Sequence, residues 1–349
     1  MGGITDLLGR SASRLFTSAG AHHYYGGAQT RESLLERIAS ALELDGTVPP
    51  ASLSSSTPSS SRPPSKQGIR VSASELFPVD QFHVGGHFTT SNFLDKVGLK
   101  EGEKVIDIGC GVGGPARLAA RDFGAHVTGI DFCEHFVHAA SAMSAWTGDD
   151  ASDFRVADAL QTDLPDNSYD KGIMIHVGMN IDDKQRLAAE VARILVSGGS
   201  FGIFDIVAKD ANRVREKYRN KEKNALLLKA PRANFQRLLE CRGNVLQDSI
   251  PYPMPFASSK SHCFICPSHK YEDAFESSGM ICTHYSDDTH HCLSLMEKSI
   301  QKAAEDAAPR HLSLKLVMGD DLDAKMGNLH SSLKSGKVGV CTMVFEKIR

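Results

Sequence analysis

Short runs of β-favouring residues alternate along most of this chain with stretches whose apolar residues have helical spacing. The strand-like runs cover residues 105–108, 125–130, 154–159, 171–175, 201–207, 280–284 and 338–346. Helical spacing lies between them, for example over residues 182–195 and 322–333. Such alternation predicts an α/β fold with a doubly wound, mostly parallel seven-stranded sheet and right-handed crossovers.

Composition divides the chain into five segments. Residues 48–66 are rich in Pro and Ser and predict a disordered insertion, because they carry almost nothing to bury. Residues 209–242 carry eleven Lys and Arg against four acids. We interpret them as a solvated lid helix rather than an RNA-binding surface, because interleaved aromatics and a nucleic-acid motif are missing. The predicted segments are a flexible or weakly targeting terminus (1–21), a helical cap with the insertion (22–98), a ligand-binding core (99–208), a basic lid (209–250) and a final part of the same domain (251–349).

Overall composition points to an ordinary globular protein. The 349 residues have 41% hydrophobic content and a net charge of −3, which gives no reason to expect a nucleic-acid partner. No apolar run approaches the roughly 20 residues that cross a bilayer. Eight scattered cysteines favour a reducing, cytoplasmic compartment. Residues 1–20, with Arg10 and Arg14, offer a weak organelle-targeting helix, although we prefer a frayed terminus. We expect a monomer or homodimer.

Residues 105–115 predict a strand, a tight turn and the beginning of a helix. Asp107 stands among β-favouring residues, and Pro115 suits the first turn of a helix because its missing N–H costs nothing there. The turn between them has glycines at 109, 111, 113 and 114. Glycine takes positive φ and lets a ligand approach the backbone, and the free N–H groups of a helix start favour an electron-rich partner. The stretch therefore predicts a nucleotide-binding turn.

Acidic residues in three successive predicted strands narrow the choice of ligand. Three of the glycines also satisfy the dinucleotide fingerprint, but Asp107 would repel a pyrophosphate and suits an ammonium group. Asp131 lies about 20 residues past the glycines, where an acid meets ribose hydroxyls in such folds. The signature Asp-x-Gly-x-Gly-x-Gly resembles motif I of the class I S-adenosylmethionine (SAM) methyltransferases, whose ligand has an amino-acid end and no phosphate. The resemblance implies that Asp158 binds the adenine amino group.

Three further stretches, residues 80–86, 176–181 and 316–320, look like the sarcosine/dimethylglycine methyltransferase-like group. The similarity covers most of residues 22–208 and 251–346. It implies a Rossmann-like fold with an antiparallel C-terminal strand, SAM as methyl donor and no metal. It departs at the Pro/Ser insertion and at the basic segment, where such enzymes build a substrate lid, so acceptor identity stays open. The cofactor-binding residues that it implies are Asp107, Gly109, Cys110, Gly111, Gly113, Asp131, Phe132, Asp158, Ala159, His176 and Gln81.

Methyl transfer mainly requires that the acceptor lone pair be held opposite the leaving sulfur. An ammonium acceptor must first lose a proton to a base, whereas a thioether has none to lose. His176 and His83 are the candidate bases, and each could equally position a ligand or be structural. Tyr24 or Tyr25 could close over the methyl group, since aromatic faces favour a cationic centre.

The preferred interpretation is methyl transfer to a small polar acceptor, a glycine-derived amine on the way to betaine. The alternative is S-methylation of a small thioether acid such as 4-methylthio-2-hydroxybutyrate, which would also serve osmolyte synthesis. A nicotinamide dehydrogenase and a noncatalytic SAM-binding protein are the candidates from other classes. Cys263-x-x-Cys266 and the cysteines and histidines of residues 282–292 invite a zinc interpretation, but their spacing does not match known sites, and no metal is expected.

Overall fold

Seven strands form one sheet in the computed structural model, which describes residues 31–42, 71–209, 249–305 and 312–348. The strands are β1 (Lys104–Ile108), β2 (His126–Asp131), β3 (Ser152–Val156), β4 (Tyr169–Ile175), β5 (Leu195–Ala208), β6 (Met280–Asp287) and β7 (Val338–Lys347). The predictions for residues 1–30, for the Pro/Ser insertion and for nearly all of the basic segment lie outside the described residues.

Helices occupy the connections between the strands. They are α1 (Arg31–Ala41), α2 (Ala73–Asp80), α3 (Gly86–Val97), α4 (Gly114–Phe123), α5 (Glu134–Thr147), α6 (Lys184–Ile194), α7 (Ser268–Ser277), α8 (Thr289–Glu305), α9 (Lys315–Met318) and α10 (Leu322–Lys334). A short 3₁₀ turn, Gly178–Asn180, follows β4. Among the described residues, every helix is too short or too polar to cross a membrane.

The strand order is β3-β2-β1-β4-β5-β7-β6. The pairs from β3 through β5 are parallel, and β7 runs antiparallel to both of its neighbours. The predicted Rossmann-like, mostly parallel seven-stranded sheet with an antiparallel C-terminal strand is thus confirmed. Because β1 pairs with β2 on one side and β4 on the other, the strand order reverses at β1. Open α/β sheets bind ligands at the carboxyl ends of the strands that flank such a point.

Alternating side chains of the central strands enter two separate cores. Val105 and Phe204 belong to one buried cluster, whereas Ile106 and Ile203 belong to the other. This two-residue period places the clusters on opposite faces of the sheet. Residues of α3, α4 and α10 complete the first cluster, and residues of α6 and α7 complete the second. Helices therefore cover both faces, as a parallel sheet requires.

The N-terminal helices form a cap that packs on the helix after the glycine-rich turn. Leu34, Leu35 and Ile38 of α1 are buried in a third cluster with residues of α5. At the end of α2, Arg117 of α4 donates a hydrogen bond to Asp80 at 2.9 Å, and each of these two side chains is only 3% exposed. The cap is therefore fixed to the element that begins the candidate site.

Several element boundaries differ from the sequence prediction. Strand β3 covers Ser152–Val156 rather than residues 154–159, so Asp158 follows the strand. Helix α3 begins at Gly86, after Gly85 in a left-handed N-cap conformation with φ of 93°. Strand β5, predicted to begin at residue 201, begins at Leu195. Leu195 pairs with Tyr169, and the register then shifts before Lys171 pairs with Ser200.

Candidate functional site

The turn after β1 requires glycine because other chain segments lie against it. Gly109 has φ of 74° and Gly111 has φ of 53°. The N–H of Gly109 donates a hydrogen bond to the carbonyl of Ile130 at 2.7 Å, which holds the turn against β2. A Cβ atom on Gly109 would lie 2.3 Å from Cγ2 of Val177, which follows β4. The glycines therefore let the ends of β1, β2 and β4 converge on one point.

Two carboxylates lie beside this turn, one partly buried and one fully buried. Asp131, at the end of β2, accepts hydrogen bonds from the backbone N–H of Gly111 at 3.0 Å and of Cys133 at 2.8 Å. Asp107 is 1% exposed, and its Oδ2 is buried without a hydrogen-bond partner in the part of the chain that the structure describes. Burial, together with the charge of Asp131, raises the pKa of Asp107 to about 8. Burying a carboxyl group without a hydrogen-bond partner costs free energy, and a cationic ligand group beside it would reduce that cost.

A cavity opens from the glycine-rich turn across the carboxyl end of the sheet. Its wall on the side of β2 and β3 includes Gly109, Gly111, Asp131, Phe132, Asp158 and Ala159. Asp158 accepts a hydrogen bond from the N–H of Leu160 at 2.8 Å, which fixes the bend that follows β3. The opposite wall contains Val84, Met179, Ile206, Phe256, Leu314, Met318, Leu322, Met326 and Leu329. The first wall is partly polar, and the second is apolar.

His176 lies between the two walls, directly after β4. Its backbone adopts a left-handed conformation with φ of 54°, which is uncommon for a residue other than glycine. The imidazole stacks on Phe204 with ring centres 5.1 Å apart. Its Nε2 is buried without a hydrogen-bond partner among the described residues, and burial lowers the pKa of the ring well below its usual value. The ring is therefore neutral near pH 7 and has a nitrogen lone pair or N–H available to a ligand.

His83 also lines the cavity, but both of its ring nitrogens contact protein groups. Nε2 lies 2.8 Å from the hydroxyl of Thr90 and 3.1 Å from Oε1 of Gln81, and Nδ1 lies 3.2 Å from the carbonyl of Val84. Burial lowers the pKa of His83 to about 4. The ring centres of His83 and His176 are 5.8 Å apart. The two histidines are thus neighbours, but the contacts of both ring nitrogens leave His83 less free than His176 to act as a base.

Asn180 offers a second polar atom to the cavity. Its Oδ1 is buried and lacks a hydrogen-bond partner within the described ranges. The 3₁₀ turn that carries Asn180 is supported from behind by Asp205, which is fully buried and accepts a hydrogen bond from the hydroxyl of Tyr271 at 2.6 Å. A Cβ on Gly178 would lie 2.0 Å from that hydroxyl, so the turn packs directly on this pair. Lys184 donates hydrogen bonds to the carbonyls of Ile181 and Phe264 and ties the turn to a neighbouring loop.

The structure separates the residues predicted from sequence into three groups. Those that line the cavity are Gly109, Gly111, Asp131, Phe132, Asp158, Ala159, His83 and His176. Those that lie behind its wall are Asp107, Cys110, Gly113 and Gln81. Gln81 is buried and donates from Nε2 to Asp80 at 3.0 Å, so it supports His83 and the cap rather than facing the cavity. Tyr24 and Tyr25 lie outside the described residues.

Sequence reasoning missed the apolar wall and the polar atom of Asn180. Asn180 was within a stretch singled out for its family resemblance, but nothing in the sequence distinguished it from its neighbours. Phe256, Met318, Met326 and Leu329 come from a loop and two helices that meet only in the folded chain. Such residues have the spacing of any buried helix face, so no local pattern marks them as a binding wall.

Among the described residues, no group of three or more His, Cys, Asp or Glu side chains is placed to hold a metal ion. The cysteines and histidines that invited a zinc interpretation lie on different elements. Cys263 follows a short 3₁₀ turn, Cys282 and His284 belong to β6, and Cys292 is buried in α8.

Comparisons with known proteins agree with this geometry. Residues 106–203 match the family model of a methyltransferase domain. A sterol 24-C-methyltransferase of Gibberella zeae is 36% identical over 115 residues, which are 33% of this chain and 30% of the relative. The chain thus matches less than a third of that relative's length.

Two solved structures share the fold at low sequence identity. Phosphoethanolamine N-methyltransferase 2 of Haemonchus contortus, in complex with S-adenosyl-L-methionine, superposes with a TM-score of 0.60 and 17% identity over 79% of this chain and 56% of the other. A putative sarcosine dimethylglycine methyltransferase from Galdieria sulphuraria gives a TM-score of 0.51 and 17% identity over 75% of this chain and 84% of the other. Residues 106–203 therefore match a methyltransferase domain, and the chain has the fold of the class I S-adenosylmethionine-dependent methyltransferases.

Proposed function

We propose that this protein is a SAM-dependent methyltransferase that acts on a small molecule. The observation that carries the proposal is the buried Asp107 carboxyl group with an unpartnered oxygen, directly behind the turn whose Gly109 and Gly111 line the cavity. A sulfonium ligand with an ammonium group meets this requirement, whereas a dinucleotide pyrophosphate would be repelled. The matched methyltransferase domain begins at residue 106, one residue before this acid.

Each end of the ligand has a matching group in the described chain. Asp107 suits the amino-acid end, Asp131 suits the ribose hydroxyls, and Asp158 suits the adenine amino group, since carboxylates accept hydrogen bonds from all three. Phe132 is 39% exposed at the edge of the cavity, where its ring can cover the base. SAM supplies an activated methyl group when it is bound.

The protein's own contribution to the reaction is to position the acceptor and to remove its proton. The neutral His176 can accept a proton at Nε2, which has no other partner among the described residues. His83 is restrained through Gln81 and Thr90 and is better suited to shape the wall. The apolar wall excludes water from the reacting groups.

The sequence-based acceptors are supported unequally. The similarity in fold to a putative sarcosine dimethylglycine methyltransferase and the available base at His176 support a glycine-derived amine. S-methylation of a thioether acid needs no base, so the availability of His176 gives it no support. Both acceptors carry a carboxylate, yet no Lys or Arg lines the described part of the cavity. We therefore propose a small-molecule acceptor and do not choose between these two compounds.

Calorimetric titration tests the cofactor directly. We expect SAM and its demethylated product, S-adenosylhomocysteine, to bind, and NAD to show no heat of binding. Asp107→Asn should weaken SAM binding by about tenfold or more, because the ammonium loses a charged partner. Tight binding of NAD without a response to SAM would favour a nicotinamide dehydrogenase and overturn the proposal. Release of labelled methyl groups to a panel of small molecules would distinguish an enzyme from a noncatalytic SAM-binding protein.

A further inference from the structure

The acceptor side of the cavity is apolar over several elements. Val84 belongs to the cap, Ile206 to β5, Phe256 to the loop before α7, and Met326 and Leu329 to α10. Val84, Ile206, Phe256 and Leu329 are each 4% exposed or less. Because these side chains come from four parts of the chain, the wall is a built surface and not the buried face of a single helix.

The charged groups lie on the side of the cavity opposite the apolar wall. The charged residues that line the cavity within the described chain are Asp131 and Asp158, which both follow strands on the cofactor side. The polar groups next to the apolar wall are His83, His176 and Asn180. Burial keeps both imidazoles neutral near pH 7. A carboxylate or ammonium group on the acceptor would therefore be desolvated against this wall without a partner of opposite charge among the wall residues that the structure describes.

Two unpartnered polar atoms mark the place where the acceptor's reacting group belongs. Nε2 of His176 and Oδ1 of Asn180 are both buried, both belong to residues that line the cavity, and both lack partners among the described residues. Buried polar atoms normally have hydrogen-bond partners, so a ligand group that donates to them would complete the site. An amino group has two N–H bonds and can donate to both atoms, a hydroxyl group can donate to one of them at a time, and a thioether sulfur can donate to neither.

We propose that the acceptor is an uncharged molecule with a hydrocarbon body against the apolar wall and a neutral O–H or N–H group at its reacting end, held by His176 and Asn180. This inference rests on the proposed function and narrows its substrate class. In the reaction, the oxygen or nitrogen of the acceptor forms a bond to the methyl carbon and the carbon–sulfur bond of SAM breaks, with its electron pair passing to sulfur. The acceptor's proton passes to Nε2 of His176.

The test measures binding of a homologous series. The probes are 4-alkylphenols and 4-alkylanilines from methyl to octyl, titrated by calorimetry with and without saturating S-adenosylhomocysteine. We expect affinity to rise about three- to fourfold for each added methylene, as expected when it is buried. Sarcosine, dimethylglycine and 4-methylthio-2-hydroxybutyrate should bind far more weakly. Binding of these charged molecules with no gain along the alkyl series overturns the inference but leaves the proposed function intact.

Failure of the proposed function gives a different result. If S-adenosylhomocysteine does not bind while the alkyl series still does, the cavity takes apolar ligands but the protein is not a SAM-dependent enzyme. If neither the alkyl series nor the charged acceptors bind, although S-adenosylhomocysteine does, the inference on acceptor class is wrong.

Variants test which residues contact the hydrocarbon body of the acceptor and which contact its reacting end. Met326→Gln should weaken the octyl compounds about tenfold and leave the methyl compounds nearly unchanged. Leu293→Gln is the matched control, because Leu293 packs partly buried against the same core but does not line the cavity. Asn180→Leu should reduce the preference for 4-octylphenol over octylbenzene by about two- to tenfold, the effect of one lost hydrogen bond. An equal loss for both compounds would show that Asn180 only supports the fold.

Discussion

At the scale of single residues, Asp107 combines poor solvation with a position under the glycine-rich turn. Its pKa is raised to about 8, so in the ligand-free protein the carboxyl group is largely protonated at pH 7. A cationic ligand favours the ionised form. SAM binding at pH 7 should therefore release up to one proton from this group, and the amount should fall as the pH rises above 8.

The variant Asp107→Asn tests both the release of a proton on SAM binding and the effect of Asp107 on the stability of the fold. In the native state Asp107 holds its proton more tightly than in the unfolded chain, so it stabilises the fold below about pH 4, and that stabilisation is lost as the pH rises to about 8. The variant should therefore be more stable than the parent at pH 8, on the order of 1–3 kcal/mol, with a smaller difference at pH 4. Urea unfolding at both pH values checks this difference in stability.

Calorimetry of SAM binding in buffers of different ionisation enthalpy measures the proton release, which should disappear in Asp107→Asn. A parent protein that releases no protons would contradict the assignment.

His176 should act as a base without adding a pH dependence of its own to catalysis near neutral pH. Burial lowers its pKa well below 6.5, so it stays neutral from pH 6.5 to 9 and adds no ionisation to the profile. With an uncharged acceptor kcat/KM should be flat over this range, whereas an ammonium acceptor would give a rise of about tenfold per pH unit. His176→Gln should lower kcat by about 10²- to 10⁴-fold.

The control for this replacement is His87→Gln, since His87 stacks on Phe77 in the cap and does not line the cavity. It should leave kcat unchanged. Near-normal kcat in His176→Gln would remove this residue from the reaction and leave it a structural role beside Phe204.

At the scale of elements, the turn after β1 leaves no space for a side chain at Gly109. Gly109→Ala would place a methyl group against Val177 in addition to the strain of positive φ. Gly98→Ala is a matched control, because Gly98 has φ of 73° and no heavy atom within 4 Å of the added Cβ. We expect Gly98→Ala to cost about 1–2 kcal/mol of stability without affecting SAM binding.

Gly109→Ala should cost more stability than its control and weaken SAM binding at least tenfold, because the turn must move. Urea unfolding and calorimetry measure both effects. The double variant Gly109→Ala/Val177→Ala should recover part of the affinity, since the contact that causes the loss is removed. Equal behaviour of the two single variants would mean that the overlap with Val177 is accommodated elsewhere.

The 3₁₀ turn that carries Asn180 should depend on the pair formed by Asp205 and Tyr271. Burial raises the pKa of Asp205 to about 6, and the hydrogen bond from Tyr271 opposes that shift. Tyr271→Phe should cost about 1–3 kcal/mol at pH 8, where the carboxylate loses its donor, and less at pH 5.

A double-mutant cycle with Asp205→Asn separates this contact from general packing. Chemical denaturation of the four proteins should give a coupling energy of about 0.5–3 kcal/mol. Independent, additive losses would show that the hydroxyl and the carboxylate do not act together.

The elements also explain which parts of the site could be predicted. The acids at 107, 131 and 158 were identified from sequence because each belongs to a local pattern of strand followed by turn, which one stretch of chain contains in full. The roles of the two histidines could not be distinguished in this way. Only the folded cap shows that Thr90 and Gln81 occupy a nitrogen of His83, while Nε2 of His176 has no partner in the described chain.

At the scale of the whole molecule, the cavity depends on segments far apart in the sequence. Phe82 and Val84 come from the cap, the glycine-rich turn from the core, and Leu322 to Leu329 from a helix near the end of the chain. The alternating pattern predicted the sheet, and the family resemblance implied the antiparallel last strand. The polarity of the acceptor site could not be predicted, because it depends on which helix faces meet above the sheet, and that is a property of tertiary packing.

The position of β7 between β5 and β6 has a consequence for synthesis in the cell. Strand β6 is translated before β7 but joins the sheet only through it. While the ribosome adds residues 288–347, β5 has an open edge and β6 has no neighbour, for roughly 3–12 s at typical rates of elongation. Open strand edges invite pairing with other chains. Protection of this half-built sheet, by early packing of α7 and α8 or by a chaperone, is therefore a requirement that the finished fold imposes on its own biogenesis.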